Sequence, residues 1–113
     1  MTSLADYNLI VANQMSERQF QDVVTAAAER AGWLTYHTHD SRRSQKGFPD
    51  LVLVHPEHGL IFRELKTMKG KPTREQLDWI HALTLVGANA GIWRPIQWFD
   101  RTIDEILAQG STR

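Results

Sequence analysis

The sequence predicts an α/β domain in which a mixed sheet lies between helices, with the element order α-β-β-β-α-β-α. Two capping boxes of the form Ser/Thr-x-x-Gln, at residues 16–19 and 73–76, each precede a segment with helical apolar spacing. Two apolar runs, at residues 51–54 and 60–62, lie on either side of a short turn, as in a β-hairpin. A further run rich in β-formers, at residues 33–39, precedes them and supplies the first strand.

Length and composition limit the class of protein. A chain of 113 residues has room for one core. It contains no cysteine, which excludes disulfides and thiolate zinc sites and favours a cytoplasmic protein. No apolar run approaches the length of a membrane span, and the N-terminus lacks the features of a signal peptide. We expect a soluble single domain at residues 16–110, preceded by residues 1–15, whose structure is unclear because they show no periodicity.

The first helix is predicted to run from Ser16 to a stop at Gly32, with Phe20 and Val24 on its apolar stripe. Glu17 lies three residues before Phe20 and therefore belongs to the stripe that faces the sheet. Such a carboxylate could approach a metal site, either as a ligand or through water. Alternatively, it only favours the positive end of the helix dipole.

The hairpin carries three charged candidates, Asp50, Glu64 and Lys66. Side chains alternate along a strand, so Glu64 and Lys66 point to the same face. Antiparallel pairing across the turn at residues 56–59 places the start of the first strand beside the end of the second. We therefore expect the three side chains to converge. Both strands are apolar on both faces up to these charges, which predicts a sheet covered on both sides.

Two converging carboxylates suit a divalent cation, because a cation removes their mutual repulsion. Oxygen ligands favour Mg²⁺ or Mn²⁺. In the alternative interpretation, Glu64 and Lys66 form a solvated ion pair at the strand end, and Asp50 caps the turn that follows Pro49.

The second half of the chain adds a helix from Thr73 to Gly87, a strand at residues 90–95 that is limited by its proline, and a helix at residues 99–108. Gln76 is a polar residue on the core-facing first turn of the second helix and could orient a water or a phosphate. Trp79, on the same helix, is expected to pack. Arg94 is either a phosphate contact or a surface residue.

The charge is zero overall but unevenly distributed. Residues 42–74 hold eight basic and three acidic residues, a net charge of +5, so the rest of the chain carries −5. Basic groups around the proposed site are expected where a phosphate backbone passes; the alternative is ordinary loop solvation. The candidate DNA contacts are Arg42, Arg43, Ser44, Lys46, Lys69, Lys71 and Arg74.

These motifs resemble the VRR-NUC (virus-type replication-repair nuclease) group of the PD-(D/E)XK nuclease superfamily, in a standalone, phage-sized form. The resemblance covers about residues 16–107. It is carried by Ser44-Gln45-Lys46-Gly47-Phe48-Pro49-Asp50-Leu51, by Glu64-Leu65-Lys66-Thr67, by Gly70-Lys71-Pro72-Thr73 leading to Glu75-Gln76 and Trp79, and by Trp93-Arg94-Pro95.

The resemblance implies a restriction-endonuclease-like core and metal-dependent hydrolysis of phosphodiester bonds in DNA. It implies a metal held by Asp50, Glu64 and the Leu65 carbonyl, with an acidic residue at the position of Glu17. It further implies homodimers that act on branched DNA, such as four-way junctions, in a bacterial or phage-infected cell. Two alternatives remain open, namely a non-catalytic nucleic-acid-binding module with this fold and a metal-dependent hydrolase of nucleotides.

Overall fold

A computed structural model, which describes residues 3–38 and 45–109, shows a four-stranded mixed sheet flanked by helices. The order of its helices and strands contains the predicted α-β-β-β-α-β-α series, so the predicted fold class is confirmed. Two further helices, Leu4–Gln14 and Pro95–Phe99, were not predicted. The elements are α1 Leu4–Gln14, α2 Glu17–Arg30, β1 Leu34–His37, β2 Leu51–His55, β3 Gly59–Leu65, α3 Arg74–Leu85, β4 Asn89–Trp93, α4 Pro95–Phe99 and α5 Thr102–Gln109.

The sheet has the strand order β1-β2-β3-β4. Strand β2 is antiparallel to both of its neighbours, β1 and β3, and β4 runs parallel to β3. The register places Leu51 opposite Arg63 and His55 opposite Gly59, as expected for the predicted hairpin. Beyond Arg63, β3 continues past the start of β2 and pairs only with β4. The last residues of β3 therefore lie where β2 no longer flanks the strand.

One face of the sheet packs against helix α2, and α5 joins the same core beside α2. The predicted stripe of α2 is buried there, with Phe20 and Val24 inaccessible to solvent. Burial of these side chains provides the main stabilisation of the domain. The core cluster consists of Phe20, Val24, Ala27, Ala28, Trp33, Leu51, Leu53, Ile61, Leu65, Trp93, Ile103 and Leu107.

The prediction that both faces of the sheet are covered is wrong for the β1 side of the opposite face, although Glu64 on that face is only 1% exposed. Leu34 and Tyr36 of β1 are 72% and 62% exposed there, and Val54 and Leu60 are also exposed. The reason is the position of α3, which packs on β4 at the other edge of the sheet and has no fully buried residue of its own. Apolar strand residues alone did not show how far the covering helix extends.

The two unpredicted helices pack against each other. Helix α1 begins with a capping box between Ser3 and Asp6, and its buried residue is Ala12. Helix α4 begins at Pro95, where the sequence predicted the end of a strand. Proline fits the first position of a helix because its missing N–H has no intrahelical partner there. Within the described ranges, none of the helices is long and apolar enough to cross a membrane.

Candidate active site

The hairpin brings Asp50, Glu64 and Lys66 together at the end of the sheet. The Asp50 carboxylate oxygen Oδ2 accepts a hydrogen bond from the Leu65 N–H at 3.0 Å, and the Asp50 N–H donates to Glu64 Oε1 at 3.3 Å. The Lys66 ammonium nitrogen lies 3.4 Å from Glu64 Oε2. The alternation of side chains on β3 and the register of the hairpin explain this convergence.

The backbone of Pro49 and Asp50 is anchored to Thr38, the residue that follows β1. The N–H of Thr38 donates to the Asp50 carbonyl at 3.0 Å, and the Thr38 hydroxyl donates to the Pro49 carbonyl at 3.4 Å. Pro49 itself is fully buried. Asp50 is therefore held by its main chain as well as by its carboxylate.

The Glu64 carboxylate is the most buried charge of the site, with 1% of the residue exposed. Burial and then the negative charge of Asp50 raise the pKa of Glu64 to about 7, against the opposing effect of Lys66. Burial disfavours the charged form of a carboxyl, and a second carboxylate adds to this effect. A positive charge placed between Asp50 and Glu64 would relieve both costs.

Glu17 is the first residue of α2 and follows the capping box formed by Ser16 and Gln19. Glu17 is exposed and is not buried with Phe20 and Val24 as its place on the stripe predicted. Partial desolvation of its carboxyl raises its pKa, the Asp50 charge raises the pKa further, and Lys66 lowers it. Glu17 is therefore electrostatically linked to the site. Within residues 3–38 and 45–109, however, no group of three or more His, Cys, Asp or Glu side chains could hold a metal ion.

Gln76 has a defined role in the start of α3. Its side-chain oxygen accepts a hydrogen bond from the Thr73 N–H at 2.8 Å, while the Thr73 hydroxyl accepts from the Gln76 N–H at 3.1 Å. This is the predicted capping box. It engages the side-chain oxygen of Gln76 in the helix cap.

Four of the predicted DNA contacts lie in the described part of the chain, and all four residues are exposed. Arg74 is 3.6 Å from Asp78 in a solvated pair of little energetic weight. The four residues are Lys46, Lys69, Lys71 and Arg74. The other three, Arg42, Arg43 and Ser44, lie outside the described residues.

Arg94 has a structural role that the sequence did not show. Its Nη1 donates to the carbonyls of Thr67, Met68 and Gly70 at 2.6, 3.3 and 2.8 Å. These bonds tie the loop after Lys66 to the end of β4. The structure therefore does not support the interpretation of Arg94 as a phosphate contact.

A second contact that sequence analysis missed joins α3 to the turn before Asp50. The Trp79 indole N–H donates to the Lys46 carbonyl at 3.1 Å, and the Phe48 ring packs edge-on against Trp79 at 5.1 Å. Trp79 thus packs, as predicted, but its partners are 31 to 33 residues away. Gly47 was the one available sequence signal, since glycine often marks a close backbone approach.

Comparisons with known proteins agree with the fold. A family model described as the VRR-NUC domain matches residues 6–94. A solved structure described as a VRR_NUC domain superimposes with a TM-score of 0.66 over 80% of this chain and 92% of that chain, at 23% sequence identity. At this identity the structural match supports the fold. A comparison with the sequences of curated proteins found no match.

Proposed function

The chain belongs to the VRR-NUC domain family, and we propose that it is a divalent-metal-dependent endonuclease that hydrolyses phosphodiester bonds in branched DNA such as four-way junctions. We take residues 16–110 as the nuclease domain. The buried Glu64 carboxylate beside Asp50 carries this proposal, because two adjacent carboxylates, one of them desolvated, are strongly stabilised by a cation.

The donor atoms of the site fit Mg²⁺ or Mn²⁺, which prefer oxygen ligands. Asp50 and Glu64 would supply carboxylate oxygens. The Leu65 N–H faces the Asp50 carboxylate. Because the N–H and C=O of one strand residue point to the same edge, the Leu65 carbonyl would be the third donor. Glu17 would act through water. When bound, the cation polarises a non-bridging phosphate oxygen and lowers the pKa of a water molecule.

Lys66 is the side chain proposed to act on the attacking water and on the negative charge of the phosphate. The Lys66 side chain is 14% exposed, and its ammonium group lies 3.4 Å from Glu64 on the face shared with the carboxylates. From this position Lys66 would orient the attacking water and stabilise the negative charge that develops on the phosphate. Gln76, at the first turn of α3, would orient a water or a phosphate with its amide.

Basic side chains around the site would hold the DNA backbone. The exposure of Lys46, Lys69, Lys71 and Arg74 supports this role, and we include Arg42, Arg43 and Ser44 on the strength of the sequence. These contacts are expected to make binding weaker as the salt concentration rises, since each contact releases counterions.

The proposal includes a homodimer that presents two active sites to two strands of a branched substrate. The exposed apolar side chains of Leu34 and Tyr36 on the edge strand β1 support an interface between two copies. We place this activity in the cytoplasm of a bacterial or phage-infected cell. The molar mass in solution, measured by light scattering, tests the dimer directly.

The decisive experiment measures cleavage of a labelled four-way junction, a flap and a linear duplex with Mg²⁺ or Mn²⁺. Asp50→Asn and Lys66→Ala should each lower the rate by about 10²-fold or more, because they remove a metal ligand and a charge-stabilising group. Asp104→Asn is the matched control. It makes the same change in an exposed ion pair on α5, where Asp104 lies 3.9 Å from Arg101, and it should cut like the wild type.

The outcomes separate the functions that we considered. Faster cutting of the junction and the flap than of the duplex supports branch selectivity, whereas equal rates on all three contradict it. Tight junction binding without cutting in either metal would identify a non-catalytic binding module.

A further inference from the structure

Residues 45–48 form a turn that rests directly on the N-terminal half of α3. The Trp79 indole donates to the Lys46 carbonyl at 3.1 Å, and the Phe48 ring meets the Trp79 ring edge-on at 5.1 Å. Between these contacts, Gly47 has a φ of +87°, and a Cβ at this position would lie 2.5 Å from the backbone carbon of Glu75. The turn is therefore pressed against the helix so closely that only glycine fits.

This turn leads into Asp50 through a single, fully buried proline. Phe48 also packs edge-on against Phe62 of β3 at 6.2 Å, so it connects α3 with the strand that carries Glu64. The other side of Asp50 is held by the bond from the Thr38 N–H to the Asp50 carbonyl. The carboxylate reaches the Leu65 N–H only if both supports keep the main chain in place.

We propose that α3 positions the Asp50 carboxylate through this contact, with Gly47 and Trp79 as positioning residues. The same contact fixes the backbone of Lys46, whose side chain is exposed towards solvent. The catalytic consequence rests on the proposed nuclease function, whereas the effect on the Asp50 geometry does not. A small shift of a reacting group can lower the rate by about 10²-fold, so loss of this support should lower the rate of cleavage.

Gly47→Ala and Gly87→Ala form a matched pair of variants. Gly87 follows α3 with a φ of +91°, and a Cβ there would meet nothing within 4 Å. Both substitutions place alanine in the same unfavourable backbone region. Only Gly47→Ala also forces the turn away from Glu75. The difference between the two variants therefore isolates the contact with α3 from backbone strain.

The first readout is hydrogen exchange of the Leu65 amide, followed by NMR, because this N–H donates to the Asp50 carboxylate. We expect exchange to be faster in Gly47→Ala than in Gly87→Ala by about tenfold or more, as local opening near Asp50 becomes easier. Trp79→Phe, which keeps a ring beside Phe48 but removes the indole N–H, should give a smaller change of the same sign and covers the case that Gly47→Ala does not fold.

The second readout is cleavage of the labelled four-way junction. We expect kcat of Gly47→Ala to fall by about 10- to 100-fold and KM to change less than kcat, because the metal ligand moves while Lys46 is only one of several proposed substrate contacts. Unchanged Leu65 exchange in both Gly47→Ala and Trp79→Phe would overturn the proposal, whether or not the wild type cuts DNA. If the Leu65 amide exchanges faster in the variants but the wild-type protein does not cut DNA, the positioning role is retained and the nuclease function is rejected.

Discussion

Replacing Glu64 with glutamine should stabilise the metal-free protein at alkaline pH. Burial and the Asp50 charge raise the pKa of Glu64 from 4.5 to about 7. Between these values the folded chain holds a proton that the unfolded chain has released, so the contribution of this group to stability is full below pH 4.5 and is lost as the pH rises through 7. The shift corresponds to about 3 kcal/mol. Glutamine is neutral throughout and avoids this loss.

Urea denaturation in the presence of a chelator, at pH 5 and at pH 8, measures the effect. At pH 8 we expect Glu64→Gln to be more stable than the wild type by about 1–3 kcal/mol, and at pH 5 the difference should shrink to less than about 1 kcal/mol. Glu57→Gln is the matched control, because it makes the same change on an exposed residue of the hairpin turn. It should alter stability by less than about 0.5 kcal/mol at both pH values.

A Glu64→Gln protein that is less stable than the wild type at pH 8 would refute this reasoning. It would mean that the ion pair with Lys66, at 3.4 Å, outweighs the costs of burial and of repulsion by Asp50. The carboxylate of Glu64 would then have a structural role, as in the alternative interpretation of an ion pair with Lys66. Adding Mg²⁺ or Mn²⁺ should reverse the order of stability. A free metal concentration of 100 times Kd raises wild-type stability by about 2.7 kcal/mol, and the variant, which lacks one carboxylate, should gain less.

Two further substitutions test contacts away from the carboxylates. Arg94→Ala removes three hydrogen bonds to the loop that follows Lys66 and should lower the free energy of unfolding by about 1–3 kcal/mol. We also expect faster proteolysis within residues 67–72. A variant as stable as the wild type would contradict the role of Arg94 in the loop. Trp33→Phe removes the buried hydrogen bond from the indole N–H to the Leu107 carbonyl at 3.0 Å. It should lower the free energy of unfolding, measured by denaturant titration, by about 1–3 kcal/mol. A decrease of less than about 0.5 kcal/mol would show that α5 does not depend on this bond.

Local signals in the sequence were sufficient for most of the fold. The capping boxes at Ser16 and Thr73 begin α2 and α3 as predicted, because each of these caps is formed within four residues. The hairpin followed from two apolar runs and the turn between them. Strand alternation then placed Glu64 and Lys66 on one face, and pairing brought Asp50 beside them, so the grouping of these charges could be predicted without tertiary information.

The remaining features depend on contacts between distant residues or on weak local patterns. Helix α1 has exposed Leu4, Tyr7 and Ile10, so its apolar residues do not form the stripe that predicts a buried helix. Helix α4 spans only Pro95–Phe99, which is too short to show a period. The contact of Gly47 with Glu75 joins residues 28 positions apart and was not predicted by any local pattern.

The two consecutive charges Arg63 and Glu64 are both buried but differ in the contacts that compensate their burial. Arg63 is 7% exposed, and burial lowers its pKa to about 10. Its guanidinium donates hydrogen bonds to the Phe62 carbonyl and to both oxygens of Asn89 at 2.8–3.1 Å. The guanidinium also lies 4.8 Å from the ring centre of Trp93. Its desolvation is thus offset by hydrogen bonds and by a cation–π contact.

Glu64, on the opposite face of β3, is more deeply buried than Arg63 and less well compensated. Its contacts at 3.3 and 3.4 Å are long, and the adjacent charge of Asp50 is of the same sign. Hydrogen bonds and the Trp93 ring offset part of the burial cost at Arg63, whereas at Glu64 the like charge of Asp50 adds to that cost. This difference supports the proposal that Asp50 and Glu64 share a cation, because a positive charge between them would lower both the burial cost and the repulsion.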